Sequence, residues 1–435
     1  LLRPVEAFEA AKAVGGAREA LGDNKIDSQA VFARRDKIVD VWDDSNWISI
    51  SNGTSGATLI RGFARIAGTK KVSVQPHGET ERYLLEAKIA VVVATGSTHF
   101  VPSIPGIESL EEGKELWINR DAVASDKVPD HLIILGAGPV GCEMATFYSA
   151  LGSKVTVITP TAEILPTVEQ EAAKIVRESL TRNGVSVELS SGASKVEKYA
   201  ANSLSVELSN GETIKGSVLL NATGRRPRTY DFGLDTIGLA GDGQPLKTDA
   251  ALAVPVPEST ETWLYAIGDV NGLGPTTHMG VYQARIASNA ILSSIKQTQL
   301  SIKLNLPAGV SVTKSKSFDR IPQVIFTEPN IAAVGHTFAS AKASGLKVRT
   351  ADSDFSIPGA WLYGDGQPGW ARWVIEEETD RLVGATFCAV EGSEFLNASQ
   401  VAIVQGLTLK EMVHVVPPFP TRGEIWSYLL NAAGY

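Results

Sequence analysis

Three glycines, Gly136, Gly138 and Gly141, stand in a G-x-G-x-x-G pattern directly after the apolar run HLIIL at 131–135. The helix-compatible stretch CEMATFYSAL follows, and then a second apolar run, KVTVIT, at 154–159. A strand, a glycine turn, a helix and a second strand in this order make the unit that cradles a dinucleotide. Glycine lets the backbone approach a pyrophosphate, and the positive end of the helix offsets its charge. Pro139 and Val140, between the second and third glycines, belong to the same expected binding set. The acid that usually ends the second strand, and accepts from the ribose 2′-hydroxyl, is missing. Thr159-Pro160-Thr161 stands in its place, with no arginine to hold a 2′-phosphate, so the choice between NADH and NADPH is open.

Three further glycine turns follow apolar strands: Thr95-Gly96 after VVV, Thr223-Gly224 after SVLLN, and Gly268-Asp269 after WLY. Doubly wound sheets bind ligands at the C-terminal edges of their strands, which is where Asp269 falls. Its carboxylate suits the hydroxyls of a sugar or ribityl chain, with capping of the next turn as the alternative. The two cysteines, Cys142 and Cys388, are too few and too separated for a disulfide framework or a Cys-rich zinc site, and read as buried thiols. No metal-ligating set is read.

These residues need a scaffold, and a chain of 435 residues predicts about three domains. The first 20 residues or so begin as helix, with Leu1, Val5 and Phe8 on one face. A second helical pattern after Asp27-Ser28 carries Val31, Phe32, Ile38, Val39, Val41 and Trp42. From Gly53 the texture becomes strands at 57–66, 71–75, 82–87 and 89–94, a meander feeding a buried strand. Further on come a helix at 169–183, a strand at 185–189, a hairpin turning at Asn210-Gly211 and a long helix from near His278. Of the late tryptophans, Trp361, Trp370, Trp373 and Trp426, core is the favoured placement over interface.

Forty Lys+Arg against forty-eight Asp+Glu give a net charge of −8 without a basic block, which removes the electrostatic footprint of a nucleic-acid binder. Hydrophobic residues at 43% and charged residues at 20% exclude wholesale disorder. Apolar runs such as IAVVVA from Ile89 are too short to span a bilayer.

The order ATGS, GAGPVG-x-E, NATGRRP, AIGDV and FTEPNIAAVG resembles the pyridine nucleotide-disulfide oxidoreductases over essentially the whole chain. The resemblance implies an α/β fold with two Rossmann-like dinucleotide-binding domains, for FAD and NAD(P), plus a C-terminal α+β dimerisation domain. The FAD-binding domain is then 1–115 and 247–317, interrupted by an NAD(P)-binding domain at 116–246 and followed by dimerisation at 318–435. It also implies FAD and NAD(P)H as cofactors, a homodimer, and a small-molecule electron acceptor. By the same resemblance Gly268 and Asp269 hold the FAD ribityl chain, and Thr95 and Gly96 line the FAD site. Gly136, Gly138, Gly141, Gly224 and Arg225 line the nicotinamide nucleotide site. The helix from Thr277-His278 aims its N-terminus at the flavin, and Glu143 pairs with a lysine expected upstream of Leu1.

Departures from the family pattern bear on function. Its first G-x-G-x-x-G and its C-x-x-x-x-C pair are absent from these residues, and Met144, Met279 and Met412 are the only methionines. Leu1-Leu2-Arg3-Pro4 reads like the continuation after the family's Pro-Ser-Lys, so roughly 40 to 50 residues are expected to precede it. A cytoplasmic location is expected, with organellar targeting left open. Family reductases end in His-Pro-Thr-x-x-Glu, where Glu orients the His base; here the stretch is Phe419-Pro420-Thr421-Arg422-Gly423-Glu424. Glu424 is kept, but a phenyl ring exchanges no proton, so acid–base help worth about 100- to 10,000-fold is lost. His414, five residues upstream, reads as an ordinary histidine. The expected function is hydride transfer from NAD(P)H to flavin and then electron transfer to a quinone, disulfide or metal ion. The alternative is a non-catalytic NAD(P)H-binding or redox-sensing relative.

Overall fold

The computed structural model describes residues 1–50, 56–296, 320–366 and 369–435. The expected change of texture at Gly53 and the boundary near 318 lie outside the described residues. The chain forms two compact units, one of Leu1–Val41, Val101–Gly224 and Pro322–Tyr435, the other of Trp42–Phe100 and Arg225–Ile321. The expected segment 1–115 is thus shared between both units.

The first unit is built on a five-stranded parallel sheet in the order Leu116–Trp117, Val218–Asn221, His131–Leu135, Lys154–Ile158, Ser186–Glu188. The period of two in HLIIL sends its side chains to two different cores. Leu132 and Ile134 join Val155, Val157 and Leu220 against Cys142, Phe147 and Val176 of the helices Pro139–Ala150 and Gln170–Arg182. Ile133 and Leu135 join Ile158 and Leu219 against Val196, Leu204 and Val206 of an antiparallel meander, Ala193–Ala200, Ser203–Leu208 and Thr213–Gly216. Both faces are covered, which is why the strands read as unbroken apolar runs.

Residues 1–41 belong to this unit because Val5 of the helix Leu2–Ala13, and Val31 and Phe32 of the helix Ser28–Ile38, enter the same core as Phe147. Asp27 caps the second of these, accepting from the backbone N–H of Gln29 and Ala30 at 2.9 and 3.2 Å. That helix ends at Ile38, short of the expected Trp42. Asp40, Val41 and Trp42 adopt left-handed φ values of 51°, 51° and 63°, and Ile38, Val41 and Trp42 are exposed. The left-handed turn breaks the helical face that their spacing suggests.

The C-terminal part of this unit is a five-stranded antiparallel sheet ordered Gln323–Ile325, Asn330–Gly335, Arg381–Ala389, Trp370–Glu376, Val348–Asp354. The helices Leu396–Gln405 and Ile425–Ala432 bury Ala402, Ile403, Ile425 and Leu429 in its core. Trp373 and Trp426 meet edge to face there at 4.7 Å, whereas Trp361 is exposed, against the core reading. Trp361 lies on the helix Pro358–Gly364, whose buried residues are Gly359 and Ala360. Arg372, buried on the strand Trp370–Glu376, bonds Glu169 at 3.0 Å, Glu171 at 2.8 Å and Asp352 at 2.7 Å. Glu169 also accepts from the Phe338 N–H at 2.7 Å, so this knot ties the helix Gln170–Arg182 to the C-terminal sheet.

The second unit has an antiparallel meander, Gly62–Ile66, Lys71–Pro76 and Tyr83–Glu86, and a parallel pair, Val91–Val93 and Leu264–Ala266. Ile66, Val93, Phe232, Trp263, Leu264 and Val270 form its core. Val92 is exposed, although 89–94 reads as a buried strand, because side chains alternate along a strand and Val92 faces away from the core that Val91 and Val93 enter. The long helix runs Thr277–Lys296.

Candidate functional site

In the first unit each glycine of the loop at 136–141 has its own reason. Gly136 has φ +100°, and a Cβ there would lie 2.5 Å from the Ala222 carbonyl oxygen. A Cβ on Gly141 would lie 2.0 Å from the Gly136 carbonyl oxygen, so only glycine lets the helix pack this close to the strand end. Gly138 differs: its φ of −76° suits any residue, and an added Cβ meets no protein atom within 4 Å. Packing demands two of the three glycines and leaves the middle one bare on the side where a ligand's backbone-close approach would need it.

The loop is held by three backbone hydrogen bonds, Gly136 N–H to Ile158, Ala222 N–H to Leu135, and Leu165 N–H to Ala137, at 2.9, 2.8 and 2.8 Å. Gly138 is the N-cap of the helix Pro139–Ala150 and offers no capping side chain, while Pro139 at the first turn has no N–H to satisfy. The N–H groups of Val140 and Gly141 therefore present an anion-binding end. The neighbouring turn is fastened by the buried Asn221, whose Oδ1 accepts from the N–H and hydroxyl of Thr223 at 3.3 and 2.7 Å, ahead of Gly224 at φ +138°. These features fit a dinucleotide pyrophosphate.

The end of the strand Lys154–Ile158 carries Thr159 and Thr161, whose hydroxyls lie 2.7 Å apart, and Thr161 donates to the Glu163 carbonyl at 2.7 Å. Glu163 Oε1 accepts from the Ile164 N–H at 3.0 Å and from Arg177 Nε at 2.8 Å. This ion pair was not anticipated: the acid stands four residues past Thr159, beyond the position where the pattern places it.

Glu143, one turn into the helix, accepts from the Phe326 N–H at 3.0 Å and meets no cation among the described residues. Burial holds its pKa above the usual carboxylate range. Burial, then the charges of Glu143 and Glu163, pushes the Cys142 thiol far up, and burial followed by Glu328 does the same at Cys388. Both are buried, unpaired thiols without nucleophilic character.

In the second unit the structure draws together most of the remaining set. Ser97 donates to Asp269 Oδ2 at 2.6 Å and receives Arg225 Nε at 2.7 Å, while Arg225 Nη2 donates to the Ser97 carbonyl at 2.7 Å. Arg225, expected beside the nicotinamide nucleotide, is thus tied to the residues expected at FAD. Ser97, overlooked as a site residue, directly follows Thr95-Gly96 in the sequence. Thr95 donates to the Arg228 carbonyl at 2.9 Å, and Gly96 adopts φ +69°.

The turn bearing Asp269 is fixed from beneath by the fully buried Gln283 of the helix Thr277–Lys296. Its Oε1 accepts from the Gly268 N–H at 2.7 Å and from Asn271 Nδ2 at 2.9 Å, and its Nε2 donates to the Leu273 carbonyl at 2.6 Å. Gly268, at φ +75°, has no protein atom within 4 Å of an added Cβ, a second bare glycine beside a carboxylate. The helix starts at Thr277, and the His278 ring lies 3.0 Å from the Thr276 hydroxyl. Polyol hydroxyls fit Asp269, and an anionic ring edge fits the helix start.

At the C-terminus Phe419 is 74% exposed, and His414 is exposed as well. Glu424 accepts from the Gly359 N–H at 3.2 Å. A Cβ on Gly359 would lie 2.1 Å from Thr421, so the helix Pro358–Gly364 rests directly on this loop.

A glycine-loop parallel sheet, a second bare-glycine turn carrying a carboxylate, and an appended antiparallel domain are the features of a dinucleotide-binding α/β protein. The pattern of the pyridine nucleotide-disulphide oxidoreductases matches residues 9–290, and that of their dimerisation domain matches residues 321–429. The dihydrolipoyl dehydrogenase of Chlorobaculum tepidum is 30% identical over 430 residues, covering 98% of this chain and 85% of its own. That of Bacillus subtilis is 26% identical over 397 residues, covering 89% and 78%. Among solved structures, LpdA of Mycobacterium tuberculosis superposes with a TM-score of 0.80 at 23% identity, over 100% of this chain and 88% of the other. The Cu(II) complex of the HOCl-induced flavoprotein disulfide reductase RclA from Escherichia coli gives 0.78 at 20% identity, over 99% and 88%.

The chain belongs to the pyridine nucleotide-disulphide oxidoreductase family. It is an FAD- and NAD(P)H-dependent oxidoreductase, and a homodimer through its C-terminal domain. No described helix is long and apolar enough to cross a membrane.

Proposed function

We propose that the protein passes hydride from NAD(P)H to FAD and then delivers electrons to an acceptor that needs no thiol protonation, a quinone or a metal ion in preference to a disulfide. The observation that carries the choice is Phe419 at the position of the family base, with Glu424 bonded to the Gly359 backbone N–H. In this reading the loop Gly136–Gly141 and the first turn of Pro139–Ala150 hold the nicotinamide nucleotide's pyrophosphate. Asp269, steadied by Ser97 and Gln283, takes the hydroxyls of the flavin's ribityl chain, and Thr95, Gly96 and Arg225 complete that side. The start of the helix at Thr277-His278 favours negative charge at the flavin ring. FAD, when bound, supplies the two-electron acceptor that can also donate electrons singly.

The test uses full-length, FAD-loaded protein and follows NADH and NADPH oxidation with a benzoquinone, lipoamide and Hg(II). Quinone turnover is expected to exceed lipoamide turnover by at least about 100-fold, the lower bound for a missing acid–base group. Lipoamide turnover as fast as quinone turnover would overturn the reading.

A further inference from the structure

The strand end that carries neither the usual acid nor an arginine has one of each close by. Glu163 and Arg177 pair at 2.8 Å with side chains 25% and 29% exposed. Two observations place them beside the glycine loop. Leu165, two residues past Glu163, donates its N–H to the Ala137 carbonyl at 2.8 Å, and Ile164 and Val176, the chain neighbours of Glu163 and Arg177, pack in the same core as Ala137 and Cys142.

The hydroxyls at the strand end are already committed. Thr161 gives its hydrogen to the Glu163 carbonyl, which leaves Thr159 to donate to Thr161. The ion pair is only half used: Glu163 Oε1 takes both of its bonds and Arg177 donates through Nε, so Glu163 Oε2 and the Arg177 Nη groups bond no protein atom among the described residues.

We propose that this pair reads the 2′ position of the adenosine ribose, resting on the dinucleotide assignment of the glycine loop. Glu163 Oε2 accepts from the 2′-hydroxyl of NADH. The Arg177 Nη groups donate to the 2′-phosphate of NADPH, a task a guanidinium performs with two parallel bonds. Each charge tempers the other, because Glu163 repels the phosphate that Arg177 attracts. The result is acceptance of both cofactors rather than selection of one.

The test is calorimetric binding of ADP-ribose and 2′-phospho-ADP-ribose to the FAD-loaded, full-length protein, a readout independent of turnover. The unsubstituted protein should bind the two within about tenfold of each other. Arg177→Gln should weaken the 2′-phospho ligand by roughly ten- to hundredfold and remove most of its salt dependence while leaving ADP-ribose nearly unchanged. Arg177→Lys should restore part of that loss, which shows that charge rather than folding is at issue. Glu163→Gln should weaken ADP-ribose about three- to tenfold and leave the 2′-phospho ligand as tight or tighter. Equal losses for both ligands, or a ratio that neither substitution moves, would overturn the proposal alone. Failure of the unsubstituted protein to bind either ligand would overturn the dinucleotide assignment along with it.

Discussion

The glycine loop and the seam at Arg372 lie in the same unit and work on opposite terms. At the loop, shape is set by side chains that are not there: Gly136 and Gly141 each leave room for a backbone oxygen within 2.5 Å of where a Cβ would be. At the seam, shape is set by charge. Arg372 is buried, which by itself lowers its pKa, but its hydrogen bonds to Asp352 and Glu171 and the charges of Asp352 and Glu169 more than reverse this. Elsewhere in the same unit, against the helix Leu2–Ala13, lies a carboxylate without such support. Glu328 is raised to about 8 by burial, then by Glu6, Glu9 and Glu391, with Arg3 alone opposing. A backbone-shaped site tolerates changes of pH and salt; a charge-shaped seam does not.

The strongest way to break this contrast is at Arg372. Arg372→Gln leaves Glu169 buried without its cation, and a buried pair broken on one side typically costs about 3–5 kcal/mol. Urea unfolding should show a loss of that size, and a loss below about 1 kcal/mol would mean that charge does not govern the seam. Arg372→Met combined with Glu169→Leu should recover most of the stability, since the carboxylates left without the arginine, Glu171 and Asp352, are 48% and 39% exposed.

Glu328 gives the next effect, and its sign is opposite to that of an ordinary paired acid. Its pKa is about 8 in the folded protein against 4.5 normally, so between these values the folded state binds more protons than the unfolded one. Stability therefore falls as pH rises from about 4.5 to 8, and below that window Glu328 contributes nothing. Glu328→Gln should remove a slope amounting to a few kcal/mol at most across the window, with wild type and variant converging at the acid end. Thermal melts from pH 5 to 9 check it; parallel curves for the two proteins would show that Glu328 titrates normally.

Gly141→Ala probes the other side of the contrast. Its Cβ would overlap the Gly136 carbonyl oxygen at 2.0 Å, and neither atom sits at the end of a flexible side chain. The helix must shift, at about 1–3 kcal/mol, and dinucleotide affinity should drop with it. Unchanged melting with unchanged affinity would show that the loop is looser than its geometry.

What could be read in advance divides along the same line. The loop is legible because glycine requirements are local: a strand, a turn and a helix within about 25 residues announce it. The seam is silent because Arg372 and Glu169 stand 203 residues apart, and no periodicity links an arginine on a sheet to an N-terminal helix position elsewhere. The bond between Arg225, expected at the nicotinamide nucleotide, and Ser97, 128 residues away, escapes notice for the same reason. The overrun of the second helix to Trp42 has a different origin: spacing continues to look helical, while the backbone at Asp40–Trp42 is left-handed. Glu163 fell between the two cases, near enough in sequence to see but past the strand end where the pattern places an acid.

Gly138 yields the smallest change in stability and the sharpest discrimination. At φ −76° and ψ −174° alanine is conformationally free to replace it, and its Cβ would touch nothing in the protein. Two small terms then oppose each other. Alanine narrows the unfolded ensemble, worth about 0.4–1 kcal/mol, but is a poorer N-cap than glycine by a similar amount. Gly138→Ala should therefore melt within about 0.5 kcal/mol of wild type, since these terms nearly cancel. Dinucleotide binding should nonetheless weaken by about tenfold or more, because the methyl group occupies the close approach that the pyrophosphate requires. The pair Gly138→Ala and Gly141→Ala thus separates a glycine kept for a ligand from one kept for packing: the first loses affinity at constant stability, the second loses both. If Gly138→Ala bound ADP-ribose as tightly as wild type, the middle glycine would have no role in the site, and the loop would be a structural turn alone.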